Sequence, residues 1–179
     1  MKMDGLNHIE RIRQYCDYVE EHLLNVQKAW AILQEALKHE NVIWDDHLFW
    51  IINRMVQEHD VSKLSPEEFV QYQRNFFPVD KPDKAGFVSA WEHHKEHNPH
   101  HWQTWPSAPE HFPNEHSCHV VCMVADWMAM GMKFGDTAEQ YYEAHKDEIN
   151  MPQWAERFLS DIFKALKEQA GKKEPTDER

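Results

Sequence analysis

Residues 6–38 read LNHIERIRQYCDYVEEHLLNVQKAWAILQEALK. Ile9, Ile12, Val19, Val26, Trp30, Leu33 and Leu37 recur there at intervals of three, four or seven residues, the spacing that lines up one face of an α-helix. His22, Val26 and Trp30 are successive i, i+4 neighbours, so the stripe expected to be buried carries a histidine through it. A long amphipathic helix with a polar, metal-type side chain on its inner face is thus the first expectation.

The same reading extends along the chain. A second helix starts at Asp45 or Asp46 and runs through Leu48, Ile51, Ile52 and Met55, which puts His59-Asp60 at or just past its inner face. Ser65-Pro66-Glu67-Glu68 has the pattern of a helix start, with Ser65 as N-cap and Glu68 three residues on, and predicts a short third helix ending near Asn75. Residues 76–84, with two prolines, read as loop. A fourth helix spans about Ala85 to His97 and stops at Asn98-Pro99, because a residue before proline avoids the helical region. His100 to Glu115 contains Pro106, Pro109 and Pro113 and reads as a long ordered loop or lid. Three more helices are expected, over His116–Met132, Thr137–Ile149 (capped by Asp136 or Thr137) and Met151–Gln169. The sum is an all-α bundle of about six to seven helices in a single domain, 1–170, followed by a polar, disordered tail, 171–179.

Composition narrows the function classes. The chain of 179 residues is long enough to bury roughly two-thirds of its unfolded surface in one core. Five glycines disfavour a turn-rich β fold or a Gly-rich phosphate loop. A formal charge of −12 argues against broad nucleic-acid binding, which needs a basic face. No apolar run approaches the roughly 18 residues of a membrane span, and Cys16, Cys118 and Cys122 form no CxxC pair. A soluble cytoplasmic protein is expected.

Fourteen histidines are several times ordinary usage, and eight of them lie between His93 and His119. Imidazole and carboxylate together suit divalent transition metals: Mn, Fe, Zn, Co or Ni. A lone histidine on an apolar face is more often a hydrogen-bonded core residue, and a His-Asp pair occurs by chance. The order His22, His59-Asp60, Asp126, with each group on a helix or beside one, favours ligation. Asp126 lies in SCHVVCMVADWMAMGM, so apolar that a carboxylate there needs solvent, a cation or a metal. His119 and Cys122, seven and four residues earlier on the same side, are alternative ligands. Within the cluster, His93 and His94 point about 100° apart on a helix. His94 and His101 are favoured as ligands of a second metal, with His93 close behind, and His97 and His100 as outlying groups. Trp91, Trp102, Trp105 and Phe112 surround the cluster and read as core packing or, for Trp102 or Trp105, as a platform stacked on a nucleobase. Cys118 and Cys122 read as small apolar residues of a buried helix.

The motif His22, His59-Asp60, Asp126 resembles that of the HD-domain superfamily of metal-dependent phosphohydrolases, over roughly residues 15 to 130. HDVSK, AWEHHKEHNPHHW and ADW are also similar to segments of an uncharacterised phage and bacterial family. The resemblance implies an HD-like helical fold in which these four residues bind one metal and extra histidines, here His93 to His101, bind a second or third. Small nucleotidases of the superfamily tend to carry an acid where this chain has Lys63. His59-Asp60-x-x-Lys63 is closer to the cyclic-dinucleotide phosphodiesterase branch, in which the lysine contacts substrate phosphate, although the Gly-Tyr-Pro segment of that branch is missing.

The implied function is a phosphohydrolase or phosphodiesterase acting on a nucleotide or related small phosphate through metal-activated water. Asp60 would orient water or bridge metals, and Lys63 would bind phosphate, unless it is simply a solvated lysine. Two alternatives are a di-iron oxygenase of HD-like fold and a non-catalytic, metal-stabilised binding protein.

Overall fold

The computed structural model describes residues 4–43, 45–105 and 115–173, which are helical with no strand among them. Seven α-helices are present among these residues: α1 Asp4–His39, α2 Asp46–Gln57, α3 Phe69–Phe76, α4 Lys84–His97, α5 Glu115–Phe134, α6 Ala138–His145 and α7 Gln153–Lys173. Two short 3-10 turns, Val61–Leu64 and Trp102–Thr104, accompany them. The expected all-α architecture is what the chain adopts.

The chain divides into two compact units, each made of separate stretches. The first comprises Met1–Leu24 and Glu58–Pro99, the second Asn25–Gln57 and His100–Arg179. Helix α1 contributes to both.

In the first unit α3 packs on α4, and both meet the 3-10 turn Val61–Leu64. Its apolar core is small. Tyr15 and Val19 of α1, Tyr72 of α3 and Ala90 of α4 are buried, with Phe69, Phe77 and Phe87 packed on them. Tyr15 meets Phe69 edge-on with ring centroids 5.0 Å apart, a favoured aromatic arrangement. Its hydroxyl donates to the Lys63 carbonyl at 3.2 Å. The stripe of α1 is therefore buried from Tyr15 onward, whereas Ile9 and Ile12, expected on it, are exposed.

In the second unit α5 is central and α2, α6 and α7 pack against it. Val120, Val121, Met123 and Val124 of α5 are buried with Ile52 of α2, Leu159 and Ile162 of α7, and Leu33 and Leu37 of α1. The strong apolarity of α5 follows from having neighbours on several sides.

Local chemistry sets the helix ends. Helix α4 stops at His97, and Asn98, ahead of Pro99, is extended at φ −123°. Thr137 caps α6 in a reciprocal box with Gln140, resolving the choice between Asp136 and Thr137. Helix α6 is shorter than expected, ending at His145, with Ile149 closing a turn back onto the His145 carbonyl. The Ser65 side chain does not cap α3. Residues 66–68 form a turn in which the Ser65 carbonyl accepts from the Glu68 and Phe69 amides, delaying the helix to Phe69. Helix α7 runs on through Gly171 to Lys173, into the segment expected to be tail, and Lys172 pairs with Glu40 at 2.7 Å. Residues 106–114, the heart of the expected lid, lie outside the described residues, as do 174–179.

At the end of α5 the chain turns back so tightly that a Cβ on Gly131 would lie 2.3 Å from the Asp136 carbonyl oxygen. Backbone must shift to admit it. Gly131→Ala is expected to destabilise the protein by about 1–3 kcal/mol, the usual range for overpacking, read as a lowered denaturation midpoint with an unchanged m-value.

Candidate metal centre

The first unit brings His22, His59, Asp60, Lys63 and His94 together. His22 arrives on the inner face of α1, one turn beyond Val19. His59 and Asp60 lie just past α2, in the turn before Val61–Leu64. Asp60 has a left-handed backbone, φ 55° and ψ 18°. Few side chains accept that conformation, and aspartate is among those that do. The twist sends successive side chains His59 and Asp60 into the same polar cluster, where both are almost fully buried.

Three atoms form a near-equilateral triangle. His22 Nε2 lies 3.3 Å from His59 Nε2 and 3.2 Å from Asp60 Oδ2, and His59 Nε2 lies 3.5 Å from the same oxygen. These separations are long for charge-assisted hydrogen bonds, which run about 2.7–2.9 Å. They match the edges of a coordination shell: ligands about 2.1 Å from a metal stand about 3.0 Å apart at right angles and about 3.4 Å apart at the tetrahedral angle. The donor set, two imidazoles and a carboxylate, suits a divalent transition ion.

The other carboxylate oxygen faces a different histidine. Asp60 Oδ1 is 3.3 Å from His94 Nε2, and His94 Nδ1 meets Glu68 Oε2 at 2.8 Å. Lys63 Nζ sits on Asp60 Oδ2 at 2.6 Å with its side chain 15% exposed. Burial pushes the Asp60 carboxyl upward, but the adjacent His59 and Lys63 and the imidazoles of His22 and His94 beside it outweigh it, so Asp60 is held well below the usual carboxylate range. His94 balances the other way. Burial lowers its pKa, and the two carboxylates that flank the ring, Asp60 and Glu68, more than compensate and raise it.

Several partners in this cluster escaped the sequence reading. Glu68, expected only in a helix start, is fully buried and contacts His93 as well as His94. Asn98 donates to the His94 carbonyl and to Ser62 Oγ, both at 2.7 Å. Trp91, expected among the aromatics around the histidines, stacks on the His94 ring with centroids 5.9 Å apart. The pre-proline position of Asn98 was a visible signal of a fixed backbone. Nothing in the sequence aimed Glu68 at α4.

The remaining expected site residues are placed as follows. His93 Nδ1 is 2.7 Å from Glu68 Oε1, and its ring stacks on that of exposed His97 at 3.8 Å. Asp126, His101 and Trp102 belong to the second unit. Asp126 is half-buried on α5. Burial, and then the Asp126 charge, raise the Tyr141 phenol there. His101 directly precedes the turn Trp102–Thr104, its ring 4.2 Å from that of buried His100. Trp102 packs against the second unit's apolar core. Cys118 and Cys122 are buried in the same core, and burial drives the Cys122 thiol far above its ordinary value, as suits a packing residue.

No curated protein and no solved structure matches the chain. One family model does, and it spans residues 11–172. Nearly the whole helical body is covered, including all five clustered residues of the first unit, so the chain belongs to a family of unknown function, DUF5662.

Proposed function

We propose that this protein is a metal-dependent phosphohydrolase or phosphodiesterase acting on a nucleotide or related small phosphate, with an HD-domain-like centre built on His22, His59 and Asp60. The observation that carries the reading is the triangle of His22 Nε2, His59 Nε2 and Asp60 Oδ2, with edges of 3.2 to 3.5 Å. Asp60 can serve two cations, because Oδ2 faces His22 and His59 while Oδ1 faces His94. One or two divalent transition ions fit that arrangement.

A bound ion of this kind lowers the pKa of water toward neutrality and polarises a phosphoryl oxygen. The protein's own groups do the rest. His22 and His59 offer neutral nitrogen donors from two separate elements, which holds the donor geometry without a mobile loop. Lys63 brings a compact cation to the partly exposed edge of the cluster, where it stabilises charge on a phosphate. Tyr15, through the Lys63 carbonyl, ties the turn that presents this lysine to α1. The chain's other features agree with this reading. Its −12 charge favours a small anion held locally by metal and Lys63 over an extended nucleic-acid backbone. Three free cysteines suit a reducing cytoplasm.

Protein stripped with a chelator should regain one or two Mn, Fe, Zn, Co or Ni ions per chain. Ligand at about a hundred times its Kd should add about 2.7 kcal/mol of stability, seen as a rise in Tm. Asp60→Asn keeps a side chain that tolerates the left-handed backbone but removes the anion, and should abolish both uptake and the Tm shift. Screened against nucleotides and cyclic dinucleotides with these metals, the wild type should turn over at least one compound. Turnover that survives His59→Ala and Asp60→Asn would sink the assignment.

Lys63→Met tests the phosphate contact separately. Metal content at saturating ion should stay at the wild-type level, because the bound cation takes over the compensation of Asp60 that Lys63 supplies, while kcat/KM falls about 100-fold, typical for loss of one charge-stabilising donor. An unchanged kcat/KM would confine Lys63 to its ion pair with Asp60.

A further inference from the structure

Glu68 is fully buried, yet it is not part of the metal triangle and it caps no helix with its side chain. Its two oxygens are divided between adjacent residues of α4: Oε1 lies 2.7 Å from His93 Nδ1 and Oε2 lies 2.8 Å from His94 Nδ1. Neighbouring helical side chains diverge by about 100°, so they seldom share a partner. A carboxylate approaching from outside the helix, with two oxygens set apart, reaches both.

An ionised carboxylate only accepts hydrogen bonds. Each Glu68 oxygen meets a different ring nitrogen at 2.7 or 2.8 Å, the length of a charge-assisted hydrogen bond to a carboxylate. Both Nδ1 atoms must then carry the proton. His94 Nδ1 stands 2.8 Å from Glu68 whereas its Nε2 stands 3.3 Å from Asp60 Oδ1, so the single proton of a neutral ring belongs on Nδ1 and the lone pair on Nε2.

We propose that Glu68 is a positioning residue that fixes His93 and His94 together as Nδ1–H tautomers, presenting the His94 Nε2 lone pair beside Asp60 as a cation ligand. The arrangement is a carboxylate–histidine–metal relay in which one carboxylate serves two histidines. Ser62 Oγ and Asn98 Nδ2 flank His94 Nδ1 at 3.2 and 3.1 Å; the amide gives its two hydrogens to Ser62 Oγ and the His94 carbonyl, both at 2.7 Å, which leaves Nδ1 to donate to Glu68. The role of the lone pair rests on the metal-centre reading; the tautomer does not.

The tautomer can be read directly. Chelator-treated full-length protein, labelled with 15N-histidine, is recorded by long-range 1H–15N correlation at a pH above each ring's own titration, with His93→Gln and His94→Gln used for assignment. Both rings should show a protonated Nδ1 and a bare Nε2. Glu68→Gln keeps the shape but offers one acceptor and one donor, so at least one ring must switch to Nε2–H; Glu68→Asp, which keeps the anion, should retain Nδ1–H on at least one ring. Wild-type His94 as Nε2–H, or two rings unmoved in Glu68→Gln, would overturn the proposal. Titration with Mn should then show affinity about 10- to 100-fold weaker in Glu68→Gln, partly restored in Glu68→Asp, and equal affinity in all three would overturn the positioning role. Metal uptake that survives His59→Ala and Asp60→Asn would instead refute the metal centre, while leaving the tautomer result standing.

Discussion

The Asp60 carboxylate is the constraint around which the first unit is organised. It is 2% exposed, and an ion withdrawn from water to that extent costs several kcal/mol unless partners restore what solvation gave. Here His22, His59, Lys63 and His94 surround it, one from α1, two from its own turn and one from α4. The apolar core beside it is small, so the polar cluster and the aromatic packing of Tyr15, Phe69 and Phe77 share the task of joining these elements. Removing any one partner leaves the carboxylate less compensated and loosens the elements meeting there.

Backbone devices converge on the same point. A left-handed Asp60 turns the chain out of α2's direction and starts the 3-10 turn. Tyr15 pins that turn at the Lys63 carbonyl, and Asn98, forced extended by Pro99, folds its amide back to Ser62 and the end of α4. Each is a short-range feature with a long-range result, because it sets where a charged or ring side chain points. The cluster thus draws on residues at helix ends and turns, His59, Asp60, Lys63 and His94, and on one inside a helix, His22.

How much of this was legible depends on range. Helical period located α1, since Val26, Trp30, Leu33 and Leu37 repeat at the spacing their burial requires, while the short α3 was signalled by the turn pattern at Ser65-Pro66-Glu67-Glu68. Asn98-Pro99 and Thr137 with Gln140 marked ends, because capping and proline sterics act within a few residues. His22, His59 and Asp60 stood out by type and order. Period alone could not show that Ile9 and Ile12 find no cover, as burial depends on what lies opposite. Glu68 was hidden for a similar reason: its neighbour in sequence is a turn, whereas its partners are 25 and 26 residues away. The Ser65-Pro66-Glu67-Glu68 pattern had a sound local meaning that tertiary contacts replaced.

The division of the chain carries a consequence for its synthesis. The first unit needs both Met1–Leu24 and Glu58–Pro99, and the second needs both Asn25–Gln57 and His100–Arg179. Neither is a contiguous fragment, so no single cut in the gene yields one unit whole, and every truncation from either end damages both or strands half of one. On the ribosome His22 emerges long before His94, and the carboxylate at position 60 must wait for α4 before its second oxygen meets a partner. During that interval the nascent chain carries an incomplete polar cluster.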